Sequence, residues 1–76
     1  MIYLNLSDLQ RKDIVSIEDG RRLGRIIDAQ INSNGIIEHF IVIDYKFWRF
    51  WKGNNEFTIL FSQIKKIGTD VILIEL

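Results

Sequence analysis

The sequence predicts an all-β domain, a small barrel or sandwich of five or six short antiparallel strands. Three observations point there: β-branched and aromatic residues alternate in short runs, Gly- and Asn-containing turns separate those runs at regular spacing, and the 76 residues contain no Pro. The length allows one domain, residues 1–76. A chain this short buries roughly 60% of the surface that its unfolded form exposes, which leaves its stability marginal. Disulfide and metal support are closed to it, because there is no Cys and one His. Oligomerisation is the support left, and a homodimer is expected.

The elements follow in order. Ser7 and Asp8 are capping-type residues ahead of a short polar stretch, enough for one helical turn after an extended start at residues 2–4. Ile14, Val15 and Ile17 make a first strand, closed by Glu18-Asp19-Gly20. Ile26, Ile27, Ala29 and Ile31 give residues 23–32 a period nearer two than 3.6, ending at the hairpin signal Ser33-Asn34-Gly35. The next run, residues 36–45, holds Ile37, Phe40, Ile41, Val42, Ile43 and Tyr45 and is the expected central strand. After the turn Gly53-Asn54-Asn55, the residues Phe57, Ile59 and Phe61 alternate with Thr58 and Leu60. Ser62-Gln63-Ile64 is then a tight turn, and Lys65-Lys66-Ile67-Gly68 leads to a last strand over 70–76.

Apolar residues make up 47% of the chain and charged residues 26%, too hydrophobic for a disordered protein. Ten basic residues balance ten acidic ones, so no overall field draws the chain to nucleic acid or to an anionic membrane. The longest aliphatic and aromatic run, residues 40–43, is far short of the roughly 20 needed to cross a bilayer, and the expected location is the cytoplasm.

The sequence assembles no nucleophile with its base, no carboxylate pair in unlike surroundings and no metal cluster, so a non-enzymatic role is expected, with no catalytic residue, metal or cofactor. His39, between Glu38 and Phe40, reads as a solvent-facing or hydrogen-bonded structural residue. Asp19, Asp28 and Asp44 read as turn or strand-end residues. Gly20-Arg21-Arg22-Leu23-Gly24 lacks the strand, loop and helix of a phosphate-binding site. Arg21, Arg22 and Arg25 concentrate positive charge there, offset by Glu18, Asp19 and Asp28, as in a solvated turn with local ion pairs.

Residues 46–52 go against so plain a reading. Phe47, Trp48, Phe50 and Trp51 crowd four aromatics into five residues, with Lys46, Arg49 and Lys52 between and beside them. In a strand, alternation would put aromatic bulk on both faces, and one small core cannot take all of it. Folding back over an open barrel end is one outcome. A protein interface built on Phe47, Trp48, Arg49, Phe50 and Trp51 is the favoured functional reading, since Trp, Phe and Arg anchor hot spots. Two others use the same segment: RNA, with Arg21, Arg22, Arg25, Lys46 and Lys52 as further contacts, and the membrane surface.

In order and spacing, Ser7-x-Leu9, Asp13-Ile14-Val15, Asp19-Gly20-x-x-Leu23-Gly24-x-Ile26-x-Asp28 and Gln63-Ile64-Lys65-Lys66-Ile67-Gly68-x-Asp70-Val71-Ile72-Leu73 resemble the PRC-barrel domain over nearly the whole length. Within that domain the chain is similar to the small YlmC/YmxH type of spore-forming bacteria. Physically, Gly20 turns the first hairpin, Gly24 lets a strand bend at a barrel corner, and Asp28 punctuates that strand. Leu60-Phe61 departs from a Pro-Trp usual in relatives, keeping bulk without the fixed φ of Pro. The resemblance implies a small β-barrel and a non-catalytic protein-interaction or assembly role with a sporulation association. It brings no catalytic residue with it.

Overall fold

A computed structural model describes residues 3–44 and 56–76. A short helix, α1 (Leu6–Gln10), precedes β1 (Asp13–Ser16), β2 (Arg22–Ile31), β3 (Ile37–Asp44), β4 (Glu56–Leu60), a 3-10 turn at Phe61–Gln63, β5 (Ile64–Ile67) and β6 (Val71–Ile74). The helix starts one residue earlier than the expected turn, at Asn5 as N-cap, and Ser7 and Asp8 lie inside it. Leu9 is its one buried residue, and Gln10 Nε2 donates to the carbonyl of Ile27 at 3.2 Å.

The six strands lie in one sheet in the order β4-β3-β2-β1-β6-β5. Every pairing is antiparallel, as expected, except β1 with β6, which is parallel with Ile14 beside Ile72 and Ser16 beside Ile74. The reason lies at the corner. The pairings give β4 and β5 the same direction, so the chain leaves β4, turns through Phe61–Gln63 and continues onward without reversing.

In a flat sheet the two edges would stand roughly 24 Å apart, five spacings of about 4.8 Å. The four steps from Leu60 to Ile64 reach at most about 14 Å. The sheet therefore curls until its edges meet at the corner: β4 pairs with β3, β5 pairs with β6, and together they make one bent stave of a five-stave barrel. Phe61, expected to end a strand, instead opens this corner. Gln63 clamps it, accepting the Leu60 N–H on Oε1 at 2.8 Å, donating from Nε2 to the Glu75 carbonyl at 3.3 Å, and accepting the Glu75 N–H on its own carbonyl at 2.9 Å.

Irregularities in β2 shape the wall. Ile26 pairs with Val42 and Asp28 with Ile41, which leaves Ile27 as an extra, bulged residue. That explains the adjacent Ile26 and Ile27 in an otherwise alternating run: Ile26 is buried, Ile27 is exposed, and inward pairing resumes with Ala29 against Phe40. A Cβ on Gly24 would overlap the main-chain carbonyl of Ile43 and stand 3.1 Å from Val42 Cγ1, so this position takes no side chain. The β2–β3 hairpin uses a three-residue loop. Gly35, at φ 81°, follows Asn34, whose φ is not positive, and Asn32 Oδ1 accepts the N–H groups of Asn34 and Ile36.

The barrel interior holds Leu9, Ile14, Ile26, Phe40, Val42, Ile59, Ile72 and Ile74, all buried, with Leu23, Ala29, Phe57, Ile64 and Ile67 packed around them. Every strand except β5 contributes a fully enclosed residue. Ser16 is the buried polar residue among those described.

Candidate interaction surfaces

The arginine turn is set by the β1–β2 hairpin. Ser16 N–H donates to the Arg21 carbonyl at 3.0 Å and Gly20 N–H to the Ser16 carbonyl at 2.9 Å, while Asp19 Oδ1 accepts the Arg21 N–H at 3.0 Å. The register then places Asp13 opposite Arg25. Asp13 receives both Arg25 Nε, at 3.3 Å, and Arg22 Nη1, at 3.5 Å, while Arg21 Nε stands 3.7 Å from Asp19 Oδ2.

Local ion pairs were the expected outcome, but among the described residues two of the three carboxylates expected to make them do not. Asp28 Oδ1 accepts the Ala29 N–H at 2.8 Å, Glu18 is exposed in the turn, and the main acceptor is Asp13, a strand away in sequence. Asp13 is much less exposed than its arginines, at 16% against 72% and 51% for the side chains. The arginine side chains stay largely in solvent, so these are surface ion pairs that offset the positive charge of the turn without burying it.

His39 is half-buried on β3, in register with Gln30 and Leu60 and on the face opposite Phe40. Asp19 lies in the β1–β2 turn, Asp28 beside the bulge, and Asp44 opposite Gly24 at the end of β3, so the register separates them. Among the described residues no group of three or more His, Cys, Asp or Glu is placed to hold a metal ion.

One shallow cleft was not legible in the sequence. Asp8, Arg11, Lys12, Thr69 and Asp70 line it where α1 meets the β5–β6 turn. Three of its side chains are engaged within the chain: Arg11 pairs with Asp8, and Lys12 Nζ donates to the Thr69 main-chain carbonyl at 2.7 Å, while the Asp70 main-chain carbonyl accepts the Asp13 N–H at 3.0 Å. Residues 57 positions apart meet there through the β1–β6 pairing, which no local pattern announces.

Apolar surface collects at the β2–β3 hairpin and the corner. Ile31 and Ile36 are each more than 60% exposed, Ile37 pairs with Ile31, and half-exposed Phe61 packs on Phe40 with ring centroids 6.3 Å apart. The aromatic-basic segment, with Lys46, Phe47, Trp48, Arg49, Phe50, Trp51 and Lys52, lies outside the described residues. Among the described residues, no helix is long and apolar enough to cross a membrane.

The model of the family described as PRC-barrel domain matches residues 1–76. The chain is 37% identical over 75 residues to a Bacillus subtilis (strain 168) protein described as "Probable sporulation protein YlmC", covering 96% of this chain and 93% of that one. It is 31% identical over 75 residues to "Uncharacterized protein YmxH" of the same organism, covering 95% and 88%.

Proposed function

Because the chain belongs to the PRC-barrel domain family, we propose that it is a non-catalytic protein-interaction or assembly module, working in the cytoplasm as a homodimer and binding its partner through Phe47, Trp48, Arg49, Phe50 and Trp51. The density of aromatics in residues 47–51 carries this reading. The interior already contains eight buried apolar residues from the described elements, and a barrel of this size has little room for four more large rings. Rings beyond what so small an interior can take, with Arg49 among them in the sequence, have the composition of a binding hot spot.

The arginine turn favours a protein partner over RNA, since Arg21, Arg22 and Arg25 all face carboxylates and the formal charge is zero. One relative carries the description of a probable sporulation protein, and the same setting is proposed for this chain.

The test is Trp48→Ala/Trp51→Ala, with circular dichroism to show that the barrel persists. Light scattering and capture of the wild-type partner are then measured across a range of salt. Loss of partner capture in the double variant, with wild-type capture that holds as salt rises, is the expected result. If partner capture survives the double substitution in a folded protein, the aromatic segment is structural. Binding that collapses steeply as salt rises would point instead to RNA or anionic lipid.

A further inference from the structure

The two halves of the bent stave have unlike outer edges. β5 is a strand of four residues with exposed Lys66 in it, a common defence against pairing with another chain, while Lys65 Nζ stands 3.7 Å from Glu75 Oε1. β4 reads Glu-Phe-Thr-Ile-Leu, without Lys, Pro or Gly. Its backbone orientation follows from one hydrogen bond. Leu60 N–H is taken by the side chain of Gln63 and so turns away from β3. In an antiparallel strand this orientation recurs every second residue, so the N–H and C=O groups of Thr58 and Glu56 also face outward, while those of Phe57 and Ile59 face β3.

We propose that the β4 edge is a self-pairing surface on which a second copy of this chain lays its own β4 antiparallel. This inference rests on the dimer proposed above and assigns its interface, leaving the aromatic segment to the external partner. A two-fold axis beside Phe57 sets Glu56 of one copy opposite Thr58 of the other, each pair exchanging two backbone hydrogen bonds. The Glu56 carboxylate then lies beside a Thr58 hydroxyl and not a second carboxylate. Gln63 is the stop, because the next outward N–H, that of Leu60, is already used. The chain's formal charge of zero sets no net repulsion between copies. So short an edge buries less than a permanent interface does, which makes the dimer a concentration-dependent one.

The experiment is light scattering from micromolar to millimolar protein on the wild type, Thr58→Pro, Thr58→Lys and Trp48→Ala/Trp51→Ala. Thr58→Pro removes an outward N–H without touching the β3 ladder, and Thr58→Lys gives β4 the guard that β5 has; if the first variant fails to fold, the second still reads the interface. The expected result is a wild-type mass rising from 9.0 kDa toward twice that value, with folded Thr58 variants staying at one chain. A wild type monomeric throughout overturns both the inference and the dimer it rests on. A dimer indifferent to both Thr58 variants but dissolved by the tryptophan substitutions overturns the edge assignment alone.

Discussion

The meander β2–β3–β4 and the closing strands β1, β6 and β5 are built by different means. In the meander, the described β2–β3 connection is a hairpin in which Asn32 and Gly35 set the turn, so strands adjacent in sequence become adjacent in space. In the closing part, β1 meets β6 across more than fifty residues and in parallel, and β5 follows β4 after a corner that does not reverse the chain. Local turn chemistry suffices for the β2–β3 hairpin. The closing part depends on the shared interior, where Ile14, Ile72 and Ile74 of the closing strands are as fully enclosed as Phe40, Val42 and Ile59 of the meander.

Substitutions can break this comparison or sharpen it. The largest effect is expected at Gly24→Ala, where β2 crosses close to the Ile43 carbonyl; the main chain has to move, and the cost is about 3 kcal/mol or more, measured by urea denaturation. Ile72→Ala empties a fully buried site in the closing part at a cost of about 2–5 kcal/mol. Because the interior is shared, far-UV circular dichroism and the exchange of amides in β3 and β6 should still report one coincident transition. Two separated transitions would mean that the meander holds without its closure.

Gln63→Ala removes an acceptor from Leu60 N–H and a donor to Glu75, and is expected to cost about 1–2 kcal/mol while leaving the meander amides protected. Asp13→Asn should cost less than about 1 kcal/mol in thermal unfolding, since both of its arginine partners are largely in solvent, and the loss should shrink as salt rises.

The same division governs what could be read from the sequence. The Asn34-Gly35 turn and the alternation of β3 and β4 gave the meander directly, and the Ile26-Ile27 adjacency is the trace of the bulge. The corner was harder, because Leu60-Phe61 continues the alternation of β4 past the point where the chain turns. β5 looked like a lead-in to the last strand, since two consecutive lysines interrupt the period; the register shows Lys65 as an extra residue between the Ile64–Ile74 and Lys66–Leu73 pairs. Asp13 was missed as the arginine acceptor because only the β1–β2 register brings it opposite Arg25. The aromatic segment was legible as composition alone, which is why its role is a matter for experiment.

The central claim is that one bent stave closes the barrel and that the outer backbone of β4, an edge strand among the described residues, is paired by a second copy. Residue-resolved amide hydrogen exchange at increasing protein concentration addresses it most directly. In dilute solution Phe57 and Ile59 should be protected while Glu56 and Thr58 exchange freely, and the latter two should gain protection as concentration rises. A Thr58 amide already protected in the dilute monomer, or one that exchanges freely at every concentration, would contradict the account.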